Sequence, residues 1–119
     1  MKTLRVMIVE DDFRVRKVIR SIIEDIAGAV HECSNGEEAV QAYSQIQPDV
    51  VLMDLRMRGM DGLTATRMIR SLDPKARIII VTSHNGPDLK DAARTAGASE
   101  YVLKENLLEL RALLTTTSD

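Results

Sequence analysis

Residues 49–54, with the sequence DVVLMD, decide the fold, because four consecutive apolar residues stand between two aspartates. A strand with one face in water alternates apolar and polar residues, whereas a strand covered on both faces is apolar throughout. The segment therefore predicts a central strand of a parallel sheet. A second unbroken run, IIIV at residues 78–81, predicts another buried strand in the same sheet.

Five short apolar runs alternate with longer amphipathic stretches along the chain. The runs occupy residues 4–9, 29–33, 50–53, 78–81 and 101–103. The stretches predict helices at residues 13–27, 34–46, 63–72, 87–97 and 106–114. The alternation predicts an α/β fold of the (βα)5 type with a doubly wound parallel sheet. Residues 1–119 are expected to form one domain with a core of about residues 4–114, and 115–119 are expected to be a frayed tail or the beginning of a linker.

The first helix has recognisable signals at both ends. Asp12 is expected to cap its first turn, because an aspartate side chain accepts from unpaired N–H groups there. Gly28 is expected to follow its last residue, since glycine tolerates the left-handed backbone that often ends a helix.

Composition limits the classes of function. The 119 residues are 45% hydrophobic and 29% charged, which is typical of a globular domain. The net charge of −2, with acids and bases interleaved, argues against direct nucleic-acid binding. The apolar runs are too short for a membrane span or a secretory signal. The lone Cys33 excludes an internal disulfide, and we expect a cytoplasmic location.

Polar, reactive side chains follow four of the five predicted strands. They are Glu10, Asp11 and Asp12 after the first strand, Asp54 after the third, Thr82 after the fourth and Lys104 after the fifth. Right-handed crossovers bring the carboxyl ends of all parallel strands to one edge of the sheet. In the strand order 2-1-3-4-5 the exceptional second strand is the outer one, so these side chains are expected to meet.

The chemistry of this set follows from its charges. Crowded carboxylates repel one another and tend to hold protons, and a hard divalent cation with oxygen ligands removes that conflict. With Mg²⁺, or Mn²⁺, on Glu10 and Asp11, Asp54 is free to act as a nucleophile and form an acyl phosphate. Lys104 is expected to neutralise charge on the phosphoryl group, and Thr82 to donate to one of its oxygens.

Six short motifs occur in order along the chain. They are IVEDD at residues 8–12, DVVLMDL at 49–55, MDG at 60–62, VTS at 81–83, AGA at 96–98 and YVLK at 101–104. Together they resemble the bacterial two-component response-regulator receiver domain, which is CheY-like, over nearly the whole chain. The resemblance implies the flavodoxin-like fold with strand order 2-1-3-4-5, and a phosphorylation-dependent signalling switch.

The resemblance also implies a role for each matched residue. Asp54 corresponds to the acceptor of a phosphoryl group from a sensor histidine kinase or a histidine phosphotransfer protein. The implied metal ligands are Glu10, Asp11, Asp54 and the main-chain carbonyl of Arg56. Thr82 and Lys104 correspond to the switch hydroxyl and the phosphate-binding lysine. Tyr101 corresponds to the aromatic that turns inward when Thr82 moves, which would change the face formed by the fourth helix, fifth strand and fifth helix.

These roles imply that the protein is not an enzyme. It is expected to catalyse only its own phosphorylation and its own dephosphorylation. The expected partners are a downstream protein effector or a covalently linked output domain, and the expected state is a monomer or a phosphorylation-dependent dimer. Val15 and Val18 on the first helix are candidates for core packing or for a phosphodonor landing site.

Two positions depart from the family pattern, and two lie at the predicted rim of the pocket. Arg58 and Glu105 stand where the family often has proline. Arg56 and His84 each lie two residues beyond a site residue, and we expect them to control water access to the acyl phosphate.

Two other functions remain open from the sequence. A metal-dependent phosphatase or phosphotransferase acting on a small molecule would use the same nucleophile, although Arg56 stands where a second acid would be expected. A binding module that is independent of phosphorylation would need none of the reactive side chains, and the complete set argues against it.

Overall fold

The computed structural model describes residues 4–115, which form a five-stranded parallel sheet in the order β2-β1-β3-β4-β5. The elements in chain order are β1 (Arg5–Val9), α1 (Phe13–Ile23), β2 (Ala29–Cys33), α2 (Gly36–Ile46), β3 (Val50–Met53), α3 (Gly62–Leu72), β4 (Ile78–Thr82), α4 (Pro87–Ala96), β5 (Glu100–Leu103), a 3-10 turn (Lys104–Asn106) and α5 (Glu109–Thr115). The predicted fold class and strand order are confirmed. Of the expected tail, Thr115 is the last residue of α5, and residues 116–119 lie outside the described part.

The central strands are buried on both faces, as their apolar runs predicted. Every residue of β3 and β4 is buried. On one face Met53 belongs to a core shared with α2, α3 and α4. On the other face Leu52 belongs to a core shared with α1 and α5. Helices therefore cover both sides of the sheet, which leaves its edges for chemistry.

The register aligns the carboxyl ends of the inner strands. Val9 pairs with Met53, and Met53 pairs with Ile80. The main-chain N–H of Asp54 also donates to the Val9 carbonyl at 3.0 Å. The residues that directly follow β1 and β3 therefore lie side by side.

Side-chain caps fix where three helices begin. The Asp12 side chain accepts from the N–H groups of Arg14 and Val15, as predicted for the N-cap of α1. Asn35 caps α2 by accepting from Glu38, and Asp61 caps α3 by accepting from Thr64. Each cap satisfies a main-chain donor that has no partner within its helix.

The predicted end of the first helix was wrong. The helix ends at Ile23 with Glu24 as its C-cap, so Gly28 does not follow its last residue. The Ile22 carbonyl accepts from Arg111 at 2.7 Å, and the Ile26 N–H donates to Ile23 instead of Ile22. A side chain from α5 thus takes the acceptor that a further helical turn would have used.

The fifth helix also begins later than its leucine spacing predicted. Lys104–Asn106 form a 3-10 turn, and the α-helix begins at Glu109. Leu107 packs against the core, whereas the next residue, Leu108, is 72% exposed. The Leu107 carbonyl accepts from Leu110, three residues on, so the chain is wound more tightly here than an α-helix.

None of the helices within residues 4–115 combines the length and the apolar character that a membrane crossing requires.

Candidate functional site

Three carboxylates meet at the carboxyl edge of the sheet. Ligand atoms of Glu10, Asp11 and Asp54 all lie within 4.8 Å of one another. Glu10 is 1% exposed and Asp54 is 5% exposed, while Asp11 is half-buried. We refer to these three residues as the acid cup. The structure therefore brings together the residues predicted to bind a divalent cation.

Lys104 enters the acid cup from the end of β5. Its Nζ lies 3.0 Å from Glu10 Oε1 and 3.5 Å from Asp54 Oδ1. The lysine side chain spans the end of β4 to reach acids that follow β1 and β3. The shorter distance joins it to Glu10, a pairing that strand-end reasoning did not specify.

Burial makes this grouping electrostatically costly. Desolvation raises the pKa of Glu10, and the nearby Asp54 charge raises it further against the opposing effect of Lys104. Desolvation likewise raises the pKa of Asp54, with a further contribution from Asp11. Burial lowers the pKa of Lys104, but its contacts with Glu10 and Asp54 outweigh burial, so the net direction is upward.

A divalent cation fits the charge balance of the acid cup. Three carboxylates face one ammonium group, so two negative charges remain uncompensated when all four groups are ionised. Oxygen-only ligand sets suit Mg²⁺, which binds through one or two carboxylates and retains waters.

The β3–α3 loop, residues 54–61, encloses the acid cup from one side. The main-chain N–H of Arg56 acts to lower the pKa of the Asp54 carboxylate, and that of Arg58 donates to Asp11 Oδ2 at 3.4 Å. Gly62 closes the loop, where an added β-carbon would overlap the main-chain carbonyl of Asp54. Only glycine therefore permits this approach of α3 to the end of β3.

The Arg56 side chain is exposed and lies at the mouth of the acid cup. It lines a cavity of about 580 Å³, which is shared with Asp11, Met57, Arg58 and Leu89. Sequence reasoning did not identify the apolar wall of this cavity, because Met57 and Leu89 come from different loops and helices. The predicted main-chain ligand at Arg56 and the predicted rim role of its side chain stay predictions.

Thr82 and Tyr101 are joined through the main chain of His84. The fully buried Thr82 hydroxyl accepts from the His84 N–H at 3.3 Å. The half-buried Tyr101 hydroxyl donates to the His84 carbonyl at 2.7 Å. From the sequence, the side chain of His84 was predicted to lie at the rim of the pocket. Its main-chain role could not be seen there, because any residue type supplies the same N–H and carbonyl groups.

A parallel α/β domain with an acidic cup and a lysine at the carboxyl edge of its sheet is typical of signalling domains phosphorylated on aspartate. Comparison with known proteins agrees, since residues 6–115 match the family described as the response regulator receiver domain. This chain belongs to the response regulator receiver domain family.

Individual relatives span a range of lengths. The chain is 36% identical to the chemotaxis protein CheY of Thermotoga maritima over 104 residues, which cover 84% of each chain. It is 42% identical to the response regulator UvrY of Escherichia coli over 103 residues, which cover 85% of this chain and 47% of UvrY. The structure of a LuxR-family response regulator from Aurantimonas sp. SI85-9A1 matches with a TM-score of 0.84 and 38% identity, covering 96% of this chain and 86% of that one.

Membership in this family establishes the general activity. Receiver domains are switches in phosphorylation-dependent two-component signalling and not classic enzymes. They bind Mg²⁺ in an acidic pocket. They work with kinases and output effectors.

Proposed function

We propose that this protein is a switch in which Asp54 accepts a phosphoryl group from a histidine of a sensor kinase or phosphotransfer protein. The buried Asp54 carboxylate carries this proposal, because it lies in one cluster with Glu10 and Asp11 and 3.5 Å from Lys104 Nζ. The grouping combines a nucleophile, a place for a divalent cation and a fixed positive charge.

The transfer uses the side chains of the acid cup. An Asp54 carboxylate oxygen bonds to phosphorus while the phosphorus–nitrogen bond to the donor histidine breaks, and the histidine nitrogen keeps the electron pair and takes up a proton. Glu10, Asp11, Asp54 and the Arg56 carbonyl would hold Mg²⁺ or Mn²⁺, which supplies positive charge for the phosphoryl oxygens when bound. Lys104 then exchanges its ion pair with Glu10 for one with a phosphoryl oxygen.

The response to phosphorylation passes through the β4–α4 loop. A phosphoryl oxygen on Asp54 attracts the Thr82 hydroxyl as a donor, which draws it away from its contact with the His84 N–H. The His84 carbonyl also accepts a hydrogen bond from the Tyr101 hydroxyl. A shift of the His84 main chain therefore reaches the tyrosine ring. A local charge change thereby biases a packing arrangement at a distant face.

The face formed by α4, β5 and α5 is the proposed output surface. Tyr101 lies on it, beside Lys90 of α4, whose Nζ is 5.8 Å from the tyrosine ring centre. The partner is a downstream protein or a linked output domain, and the state is a monomer or a phosphorylation-dependent dimer. Linkage to an output domain is supported by relatives such as UvrY, in which the matched region is about half of the protein.

The lifetime of the acyl phosphate is proposed to depend on the rim. Arg56 is exposed beside Asp54, and His84 is half-buried two residues after Thr82. Replacing either by alanine is expected to change the half-life of the phosphoryl group by altering the approach of water. Unchanged decay in both variants would contradict this assignment.

The phosphodonor is proposed to contact α1 beside the acid cup. Val18 is 49% exposed and Phe13 is 60% exposed, whereas Val15 packs against the core. Of the two valines considered from the sequence, Val18 is therefore the better candidate for a landing site. Val18→Glu should slow transfer from a phosphohistidine protein and leave transfer from a small phosphodonor unchanged.

Phosphorylation with a small donor tests the main proposal. The protein is incubated with Mg²⁺ and phosphoramidate, and its intact mass is measured. We expect a gain of one phosphoryl group in the wild type and none in Asp54→Ala. Asp91→Ala, the same substitution at an exposed position of α4, is the matched control and should label normally.

The same experiment separates the competing functions. Sustained turnover of the donor without a stable mass gain would favour a phosphatase or phosphotransferase. No labelling of a folded protein would favour a binding module that is independent of phosphorylation. Labelling that persists in Asp54→Ala would mean that another residue accepts the phosphoryl group.

A further inference from the structure

Residue 58, in the loop beside the acid cup, is one of the two positions at which this chain departs from the family pattern. Where receivers often have proline, the main-chain N–H of Arg58 donates to Asp11 Oδ2. Proline has no main-chain N–H and cannot make this bond. The contact therefore exists only because of the departure.

The contact belongs to a regular pattern in the β3–α3 loop. The N–H groups of Arg58 and Met60 donate to the carboxylates of Asp11 and Glu37. Two alternate main-chain N–H groups of the loop are thus directed at acids.

Asp11 depends on this pattern more than its neighbours do. Glu10 accepts from the Asp12 N–H and pairs with Lys104, and Asp54 also pairs with Lys104. For Asp11, the Arg58 N–H is the one hydrogen-bond donor found within residues 4–115.

We propose that the main-chain N–H of Arg58 is a positioning group for the divalent cation, because it fixes the orientation of the Asp11 carboxylate. The inference rests on the proposed function, in which Asp11 is a metal ligand. A hydrogen bond to one carboxylate oxygen restricts rotation of the group and leaves the other oxygen for the cation.

The size of the effect follows from the geometry of the bond. Loss of a partner that orients a metal ligand typically weakens metal binding about 10- to 100-fold. The Arg58 contact is long, at 3.4 Å, and its donor residue is exposed. We therefore expect a smaller loss of about 3- to 10-fold, scaled down from that range.

A matched pair of variants separates the main chain from the side chain. Arg58→Ala removes the guanidinium group and keeps the N–H, whereas Arg58→Pro removes both. Mn²⁺ affinity is measured from the free-ion signal in electron paramagnetic resonance titrations. Arg58→Ala should bind Mn²⁺ as tightly as the wild type or more tightly, because a positive charge near the site is lost. Arg58→Pro should bind more weakly than Arg58→Ala by the factor given above.

An amide NMR measurement tests the bond itself. Without metal, the amide resonance of Arg58 should lie further upfield in Asp11→Asn than in the wild type. The Met60 amide, which donates to Glu37, should stay in place and serves as the internal control.

The outcomes distinguish this inference from the proposed function. Equal Mn²⁺ affinity of folded Arg58→Pro and Arg58→Ala would overturn the role of Arg58 and leave the switch intact. An Arg58 amide resonance that is unchanged in Asp11→Asn would also overturn it. Failure of the wild type to bind Mn²⁺ at all would overturn the inference together with the metal site of the proposed function.

Discussion

Two acid–base clusters lie on neighbouring strands, and they have opposite charge balances. In the acid cup, three carboxylates share Lys104. On β2, the single carboxylate of Glu32 contacts Arg16, Lys17 and Arg20 of α1 at 2.9, 3.1 and 2.7 Å. The first cluster has an excess of anions, and the second has an excess of cations.

The pKa values follow these balances. Burial raises the pKa of both Glu10 and Asp54, and neighbouring acids add to the effect. Burial also acts to raise the pKa of Glu32, but hydrogen bonds from Arg20, Arg16 and Lys17 lower it to about 2. A carboxylate with surplus cations is satisfied within the protein and holds α1 to β2. A group of carboxylates with too few cations is suited to binding one from solution.

The largest expected difference between the clusters concerns phosphorylation. Lys104→Met should slow labelling by phosphoramidate about 100-fold, because a fixed positive charge near the transferring group is lost. Arg20→Met removes a cation from the Glu32 cluster and should label at nearly the wild-type rate. Rates come from intact mass against time with Mg²⁺ present. Similar slowing in both variants would mean that the lysine acts only through stability.

Stability should respond most strongly at Glu32. Glu32→Gln is expected to lower the free energy of unfolding by about 2 kcal/mol at neutral pH, after discounting the pKa shift for the exposure of Lys17 and Arg20. Glu24→Gln, which removes an exposed partner of Arg20, is the control and should cost less than about 0.5 kcal/mol. Urea unfolding measures both.

The pH dependence of this effect has a definite sign. Because the folded pKa of Glu32 lies below its ordinary value of 4.5, its stabilisation is complete above that pH and is lost as the pH falls toward about 2. Wild type and Glu32→Gln should therefore converge in stability across this range. A difference that stays constant with pH would contradict the charge-based account.

The smallest expected effect has the opposite sign. Glu10→Gln should raise the free energy of unfolding by about 1 kcal/mol at neutral pH without divalent cations, since it removes a buried charge from an anionic cluster. The raised pKa of Glu10 means that its contribution is favourable below 4.5 and is lost as the pH rises through the folded value. The advantage of the variant should vanish in acid, and Mg²⁺ should stabilise the wild type more than the variant. Destabilisation at neutral pH without metal would contradict this prediction.

The parts of the fold that depend on local pattern were predictable from the sequence. The apolar runs of β3 and β4 identified buried parallel strands, and parallel connections imply a shared carboxyl edge. That rule alone brought Asp54 and Lys104 together, although they lie far apart in the chain. The absence of a reactive residue after β2 was also informative, because Asn35 there caps α2.

The parts that depend on distant partners were not predictable. The contact of Arg111 with the end of α1 joins residues that are 89 positions apart in the chain, which leaves no local signal. The cations on Glu32 come from α1, and no local pattern links their positions to a residue of β2. The contacts of Arg58 and His84 use main-chain atoms, which carry no signature of residue type.

The close approach at Gly62 constrains how this gene can change. Every single-base change that replaces glycine with another amino acid adds a β-carbon, and at this position that atom would overlap the Asp54 carbonyl. The loop that carries the acceptor would have to shift to make room. Codon 62 should therefore tolerate synonymous changes almost exclusively, although it encodes no reactive side chain.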